Sequence, residues 1–295
     1  MMSSQRRWGR VFILPAMIVY VMFLVIPLLF SFALSLFTWD GLGKITFSGL
    51  ANFRTLLFEE TFWNCMAHNL FFAGYTIIVG NIVALILSLL LEGRIGGKPV
   101  PGKETYRFLL FSQFILSWVV VSFLWKRIFN PFDGLLNVFL KGMGLDSWAR
   151  NWLGDPATAL ASISFASVWK GFGFGLVTYC AAIQSISSDI MEAAKIDGAS
   201  QWQANTRIVI PLLKPIIGIL VLLNLIDAFR VVDPIIIMAT GVPMKSVQVI
   251  GTYIYKSAFD YYQMGYSSAL SVALFAIVGI ISVGYFMLQK KHSNG

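Results

Sequence analysis

Four ionisable side chains, Lys170, Asp227, Arg230 and Asp233, fall inside long apolar runs. A charge at membrane depth is costly and is kept where it binds, conducts or pairs. Asp227, Arg230 and Asp233 are spaced by three, so they share one broad helical face on which Arg230 can neutralise either carboxylate. Pro234 follows at once, removes a backbone amide and is expected to kink or break the helix beside that face. Broken membrane helices occur where freed backbone groups face a polar cavity. The chemistry on offer is charge-assisted hydrogen bonding to hydroxyls. An internally satisfied cluster that locks two spans, or two chains, together is the alternative, and the two roles are compatible. No His-rich or Ser/His/Asp constellation supports covalent catalysis.

A second feature is the polar, helix-forming island Glu192-Ala193-Ala194-Lys195-Ile196-Asp197-Gly198, which continues to Ile208-Val209-Ile210-Pro211 between two apolar runs. Asp189 and Glu192 form a capping-box variant, with Asp189 accepting first-turn amides and Glu192 reaching back. Gly198 tolerates positive φ and can end the turn. Ser200 can cap a second short helix through Arg207, and Pro211 opens the next apolar run. The expected product is a helix–turn–helix at the membrane surface. Its small Ala193-Ala194 face lets a partner backbone come close, and Glu192 and Asp197 present acceptors. That is docking chemistry. The sequence has no Gly-x-x-x-x-Gly-Lys-[Ser/Thr] phosphate cradle, and the stretches 41–44 and 93–98 are mis-spaced for one. Nucleotide energy would have to come from another polypeptide.

Composition sets the elements that carry these groups. Of 295 residues, 57% are hydrophobic and 12% charged, with a mean hydropathy of +0.75. Soluble chains carry about 25% charged residues, so an all-α integral membrane protein is expected. The net charge of +8 does not indicate nucleic acid, because the basic residues edge the apolar runs without a basic, aromatic-interleaved stripe. Six stretches reach the roughly 20 apolar residues of a span: 11–37, 70–91, 108–129, 157–186, 211–240 and 267–288. The fourth and fifth exceed the minimum, so tilt or interruption is expected there. The first is longer than the ~7–15 apolar residues of a cleavable leader, lacks a following Ala-x-Ala site, and is expected to stay as a span. Without repeats or linkers, residues 1–295 are expected to form one membrane domain, with the island in a loop at 187–210.

Loop Lys and Arg set orientation. Twelve lie on one side (Arg6, Arg7, Arg10, Arg94, Lys98, Lys103, Arg107, Lys195, Arg207, Lys214, Lys290, Lys291) and eight on the other (Lys44, Arg54, Lys126, Arg127, Lys141, Arg150, Lys245, Lys256). The second side also holds Asp40, Glu59, Glu60, Asp133, Asp146, Asp155 and Asp260, which fits a translocated face. Both ends and the Glu192 loop are therefore expected in the cytoplasm. Outside, Phe53–Cys65 reads as a short amphipathic surface helix and Asn130-Pro131-Phe132-Asp133-Gly134 as a turn. Trp63, Trp148 and Trp152 lie at membrane edges, where indole is favoured. Gly171, Gly173 and Gly175 suit close helix packing, and Phe172, Phe174 and Tyr179 suit packing or lipid contact. His68 and Asn69 begin the second span, and Cys65 and Cys180 are expected as buried free thiols.

The island resembles the Glu-Ala-Ala loop of ABC importer permeases. In that pattern Glu-Ala-Ala is followed by three residues, Gly, nine residues, Ile, one residue, Leu and Pro. Every fixed position matches except the Leu, which is Ile210. Over 11–288 the chain is similar to sugar permeases of the maltose permease class. The segments that carry this include Gly49-Leu50-Ala51-Asn52-Phe53, Gly134-Leu135-Leu136-Asn137, Trp152-Leu153-Gly154-Asp155 and Gly265-Tyr266-Ser267-Ser268-Ala269. The resemblance implies a type I ABC importer permease fold of six transmembrane helices with a cytoplasmic coupling loop. Glu192, Ala193, Ala194, Asp197 and Gly198 would meet the ATPase there. It also implies a substrate path at Lys170, Gly171 and Phe174 in the fourth span and Leu223, Ile226, Asp227 and Arg230 in the fifth.

The implied partners are a second homologous permease, an ABC ATPase dimer that holds ATP and Mg, an extracytoplasmic solute-binding protein, a sugar and membrane lipid. The chain itself would be non-catalytic and cofactor-free, in a bacterial or archaeal plasma (inner) membrane. Two departures stand out: Thr240-Gly241-Val242-Pro243 replaces the usual Thr-Gly-Gly-Gly-Pro, and the large insertion and extra N-terminal helices of some maltose-type subunits have no counterpart. One alternative is the same fold importing a polyol phosphate or another small solute, since Lys170 and Arg230 suit an anion. Another is an ion-coupled secondary transporter energised through Asp227–Asp233.

Overall fold

The computed structural model describes residues 12–95, 97–239 and 241–293, with the side chains of 286 and 288–293 left out of the description. Arg6, Arg7, Arg10, Thr240 and the side chains of Lys290 and Lys291 therefore lie outside the described residues. In chain order the elements are α1 (Phe12–Leu34), a ribbon of β1 (Phe37–Thr38) and β2 (Thr46–Phe47), α2 (Ala51–Phe58) and α3 (Glu60–Leu91). Next come α4 (Lys103–Ile115), α5 (Trp118–Ile128), α6 (Leu135–Gly142), α7 (Ala159–Gln184) and α8 (Ser188–Ile196). α9 (Gln201–Phe229), α10 (Asp233–Met238), α11 (Ile250–Phe259) and α12 (Met264–Ser293) complete the chain.

Among the described residues, five helices are long and apolar enough to cross a membrane, or six when α4 and α5 count as one broken span. The expected spans differ from these in instructive places. α3 starts at Glu60, not near 70, so His68 and Asn69 sit inside the helix. The third span is two helices meeting at 100°, because Leu116 and Ser117 are extended and Ser117 caps α5 by accepting the amide of Val120. The fourth span, where tilt or interruption was expected, is uninterrupted. The fifth ends at Phe229 instead of 240, since Pro234 opens the separate helix α10, a position where its missing amide costs nothing. The break that Pro234 was expected to cause is therefore present, at Arg230–Val232.

By contact the chain divides into two compact units, Met1–Phe62 with Tyr253–Gly279, and Trp63–Thr252 with Ile280–Gly295. In the first, α1 buries none of its most apolar window, as suits a helix surrounded by lipid. It leads into the antiparallel ribbon, where Phe37 faces Phe47. The Asp40 carboxylate accepts the amides of Gly43 (2.6 Å) and Leu42 (2.9 Å), which holds its pKa below the usual carboxylate range. The single surface helix expected over Phe53–Cys65 is interrupted at Glu59, which is extended. Its carboxylate accepts the hydroxyls of Tyr253 (2.6 Å) and Tyr266.

The second unit is built around α7, the most enclosed span, with 56% of its apolar window buried against 22% for α3 and for α9. Small residues allow this, because in lipid the association of helices relies on close van der Waals contact. Ala84, Leu91, Leu176, Tyr179, Cys180 and Leu220 form one core cluster, and Leu89, Ile183, Val209 and Leu213 another. Polar side chains are satisfied across helices: Tyr179 donates to Asn81 Oδ1 at 2.8 Å, a bond worth roughly 0.6–2 kcal/mol in such a setting. Asn69 is fully buried, donates to Ala228 O (3.0 Å) and accepts from the Ile250 amide (2.8 Å). His68 Nδ1 lies 2.8 Å from Gln248 O. Cys65 and Cys180 are buried, and neither is in a disulfide among the described residues.

Candidate functional site

The end of α9 and the broken third span together open a cavity of about 500 Å³. Lys170 and Gly171 of α7 line it, as do Asp227, Arg230 and Asp233 at the α9–α10 break. Phe72 and Thr76 of α3, Phe114 and Trp118 at the α4–α5 break, and Asn224 of α9 also line it. A smaller cavity of about 260 Å³ shares Thr76, Phe114, Gly171, Asn224 and Asp227 with it and adds Phe174 and Leu223. Six of the seven expected path residues thus meet in one adjoining pair of cavities; Ile226 lines neither. Thr76, Trp118 and Asn224 escaped the sequence reading. A polar residue on the helical face of Asp227, which Asn224 is, was the signal available for one of them.

The fifth-span charges make no direct ion pair with one another, although Arg230 and Lys170 both act on Asp227 through space. Arg230 is not inside a helix but at the C-terminal cap of α9, and Asp233 is in the first turn of α10. Arg230 belongs to none of the ion pairs Lys103–Glu92, Arg107–Glu92, Arg107–Glu104 and Arg127–Asp133. Asp227, Arg230 and Asp233 are each exposed to the cavity.

Lys170 is committed differently. Its Nζ donates to Phe114 O at 2.8 Å and sits 5.1 Å from the ring centroids of both Phe114 and Trp118. Phe114 O is one of the last carbonyls of α4, which have no partner within their own helix, and a cation is favoured at that end. Three residues at helical spacing on α7 clamp the broken end of α4. Lys170 takes the carbonyl, Phe174 stacks on Phe114 at 5.3 Å, and Gly173 admits the backbone, where a β-carbon would lie 2.3 Å from Leu110 O. Lys170→Met keeps the stem but strands the carbonyl, a loss of about 1–3 kcal/mol. The purified variant should therefore unfold at a lower temperature, with most of the loss recovered by Lys170→Arg. Unchanged thermal unfolding of the Met variant would show that the clamp contributes nothing.

The island forms α8 and the start of α9. Ser187, not Asp189, caps α8, accepting the Asp189 amide at 3.2 Å, so the proposed Asp189–Glu192 box is replaced by a cap two residues earlier. Gly198 has φ +75°, and the amides of Gly198 and Ala199 return to Lys195 O (3.1 Å) and Ala194 O (2.9 Å). This is the double bond of a Schellman termination. Ser200 caps the next turn as expected, in a reciprocal box with Gln203. That turn is not a separate short helix, because it runs through a π-turn at Asn205–Val209 into α9. The Ala193-Ala194 face is only half available: Ala193 is exposed and Ala194 buried at 7%. The apolar side chains the element does present are Ile196 (85% exposed) and Trp202 (73%), with Glu192 and Asp197 exposed beside them.

Residues 101–291 match the family model described as binding-protein-dependent transport system inner membrane component. A probable ABC transporter permease protein of Bacillus subtilis is 34% identical over 95% of this chain and 94% of its own length. A probable starch degradation products transport system permease protein of Thermoanaerobacterium thermosulfurigenes is 29% identical over 96% and 94%. In structure the chain is similar to one chain of a bacterial ABC transporter involved in alginate import, with a TM-score of 0.85 over 98% of each and 24% identity. That likeness gives the type I importer fold to the helices described above. A match over most of the sequence, on a multi-pass helical fold with polar groups gathered at two broken spans, makes this chain a member of the inner membrane component family of binding-protein-dependent transport systems.

Proposed function

We propose that the chain is the non-catalytic membrane subunit of an ATP-driven importer and translocates a sugar or sugar derivative delivered by an extracytoplasmic binding protein. Residues 1–295 act as one permease domain beside a second, homologous permease. An ATPase dimer that holds ATP and Mg binds α8 through Glu192, Ala193, Asp197 and the turn at Gly198, with Ala194 supporting them from beneath. Both termini and α8 face the cytoplasm of a bacterial or archaeal cell. The observation that carries this reading is the convergence of Asp227, Arg230 and Asp233, outside any ion pair among the described residues, on a cavity walled by Phe72, Phe114 and Trp118. Carboxylates accept from hydroxyls, a guanidinium donates to them, and aromatic faces cover the apolar side of a ring. The described substrate class of the Thermoanaerobacterium relative supports the same choice.

The polyol phosphate alternative is weakened by Lys170. Its charge is held by Phe114 O and two rings, which leaves Arg230 facing two carboxylates. An ion-coupled carrier would transport without any ATPase, so uptake that survives deletion of the ATPase defeats the proposal.

Docking has its own test. With the partners present, cysteine at Asp197 should crosslink to the ATPase subunit and cysteine at Gly241 should not. Labelling of Gly241, rather than Asp197, by a reagent confined to the cytoplasm would invert the orientation.

A further inference from the structure

The turn after α3 is tied to three other helices. The Glu92 carboxylate, 6% exposed, accepts from Lys103 (2.8 Å) and Arg107 of α4 and from Gln184 (3.2 and 3.3 Å) at the end of α7. The next two carbonyls are held from α9: Gln201 Nε2 donates to Gly93 O at 2.9 Å and Asn205 Nδ2 to Arg94 O at 2.6 Å. Gln201 and Asn205 are four apart, so they reach the turn from one helical face. Asn205 is 4% exposed and begins the π-turn, a distortion that recurs at functional sites. Both residues fall in the nine-residue spacer between Gly198 and Ile208, which the Glu-Ala-Ala pattern leaves unspecified.

A displacement of α8 reaches α7 and α9 through the covalent chain. It reaches α3 and α4, which carry Phe72, Thr76 and Phe114 in the cavity wall, through side-chain hydrogen bonds: Tyr179–Asn81, Asn69–Ala228 and Lys170–Phe114 deeper in the bundle, and the bonds to residues 92–94 next to α8. Apolar contact is non-directional and tolerates sliding, whereas a hydrogen bond weakens steeply when its angle is spoiled. We propose that residues 92–94 are a transmission knot, in which Gln201 and Asn205 make movement of α8 and the start of α9 pull α3 and, through Glu92, α4 with it. Gln201 and Asn205 are then positioning residues for coupling, and the cavity walls move as a set. The inference rests on the reading of α8 as the ATPase dock.

The test is the assembled transporter in liposomes with the pair Gln201→Met and Asn205→Leu, which keeps side-chain size and removes both donors. ATP hydrolysis should stay near wild type while solute carried per ATP falls about tenfold, within the usual range of coupling between sites. Asn205→Gln, with Gln201 restored, should recover part of that ratio. A normal ratio at any activity overturns the knot, because a merely structural role lowers yield, transport and hydrolysis together. Should the double variant not accumulate, Gln201→Met alone, at an exposed position, decides by the same ratio. Gly198→Leu run in parallel separates the two ideas. If it uncouples and the double variant does not, the knot alone fails; if it too transports normally, the dock fails.

Discussion

Gly198→Leu should leave ATP hydrolysis running while transport drops about 5–30-fold, with the chain still inserted and assembled. The residue closes α8 at φ +75°, and a β-carbon there would meet nothing within 4 Å. The cost is therefore in the backbone: a left-handed non-glycine residue is strained by roughly 1–2 kcal/mol, and each 1–2 kcal/mol shifts an equilibrium about 5–30-fold. Relief of that strain means opening the Gly198–Lys195 and Ala199–Ala194 bonds. Those bonds fix the direction in which α8 leaves α9, so Ile196 and Asp197 would be presented at the wrong angle. Transport and hydrolysis measured on one reconstituted preparation decide the matter. Wild-type transport by Gly198→Leu would falsify the assignment of α8 as the dock.

Arg230→Gln should weaken substrate use without loss of the complex. If the guanidinium donates to substrate hydroxyls, its removal costs about 1.5–3 kcal/mol, the range for hydrogen bonds to charged groups. Half-saturation should then rise, or substrate range narrow, by roughly 10–150-fold, at near-normal yield. A structural lock predicts the reverse. Stranding a carboxylate from its partner would cost about 3–5 kcal/mol, and the chain should fail to accumulate. Arg230 stands at the cap of α9, facing the cavity and outside the ion pairs found among the described residues, which favours the first outcome. Low yield with normal activity per assembled complex would defeat the substrate role.

Some of this was legible in the residues. Charge exclusion from lipid made Lys170, Asp227, Arg230 and Asp233 conspicuous, and the rule that proline cannot continue a helix placed a break before α10. Gly198 and Ser200 gave the turn and the second cap because both act within four residues of themselves. What stayed hidden depends on distant partners. The 100° break at Leu116–Ser117 has no proline; it is held by Ser117 locally and by Lys170 from α7. Lys170 lines the cavity, and nothing near it in sequence announces that its Nζ also meets a main-chain carbonyl. The interruption at Glu59 is likewise settled by Tyr253 and Tyr266, far along the chain.

The enclosure of α7 has a consequence for how the protein is made. α7 is the least apolar of the five uninterrupted spans, and a lysine at the middle of a helix opposes entry into the bilayer by about 2.5–3.5 kcal/mol on the insertion scale. Its partner carbonyl, Phe114 O, lies 56 residues earlier and leaves the ribosome first. Tyr179 likewise finds Asn81 already synthesised. Biogenesis should therefore be ordered: α3 and the α4–α5 pair wait beside the translocation channel, and α7 partitions against them rather than into bare lipid. Displayed alone in a membrane-insertion reporter, α7 should enter poorly, and it should enter well behind residues 60–128.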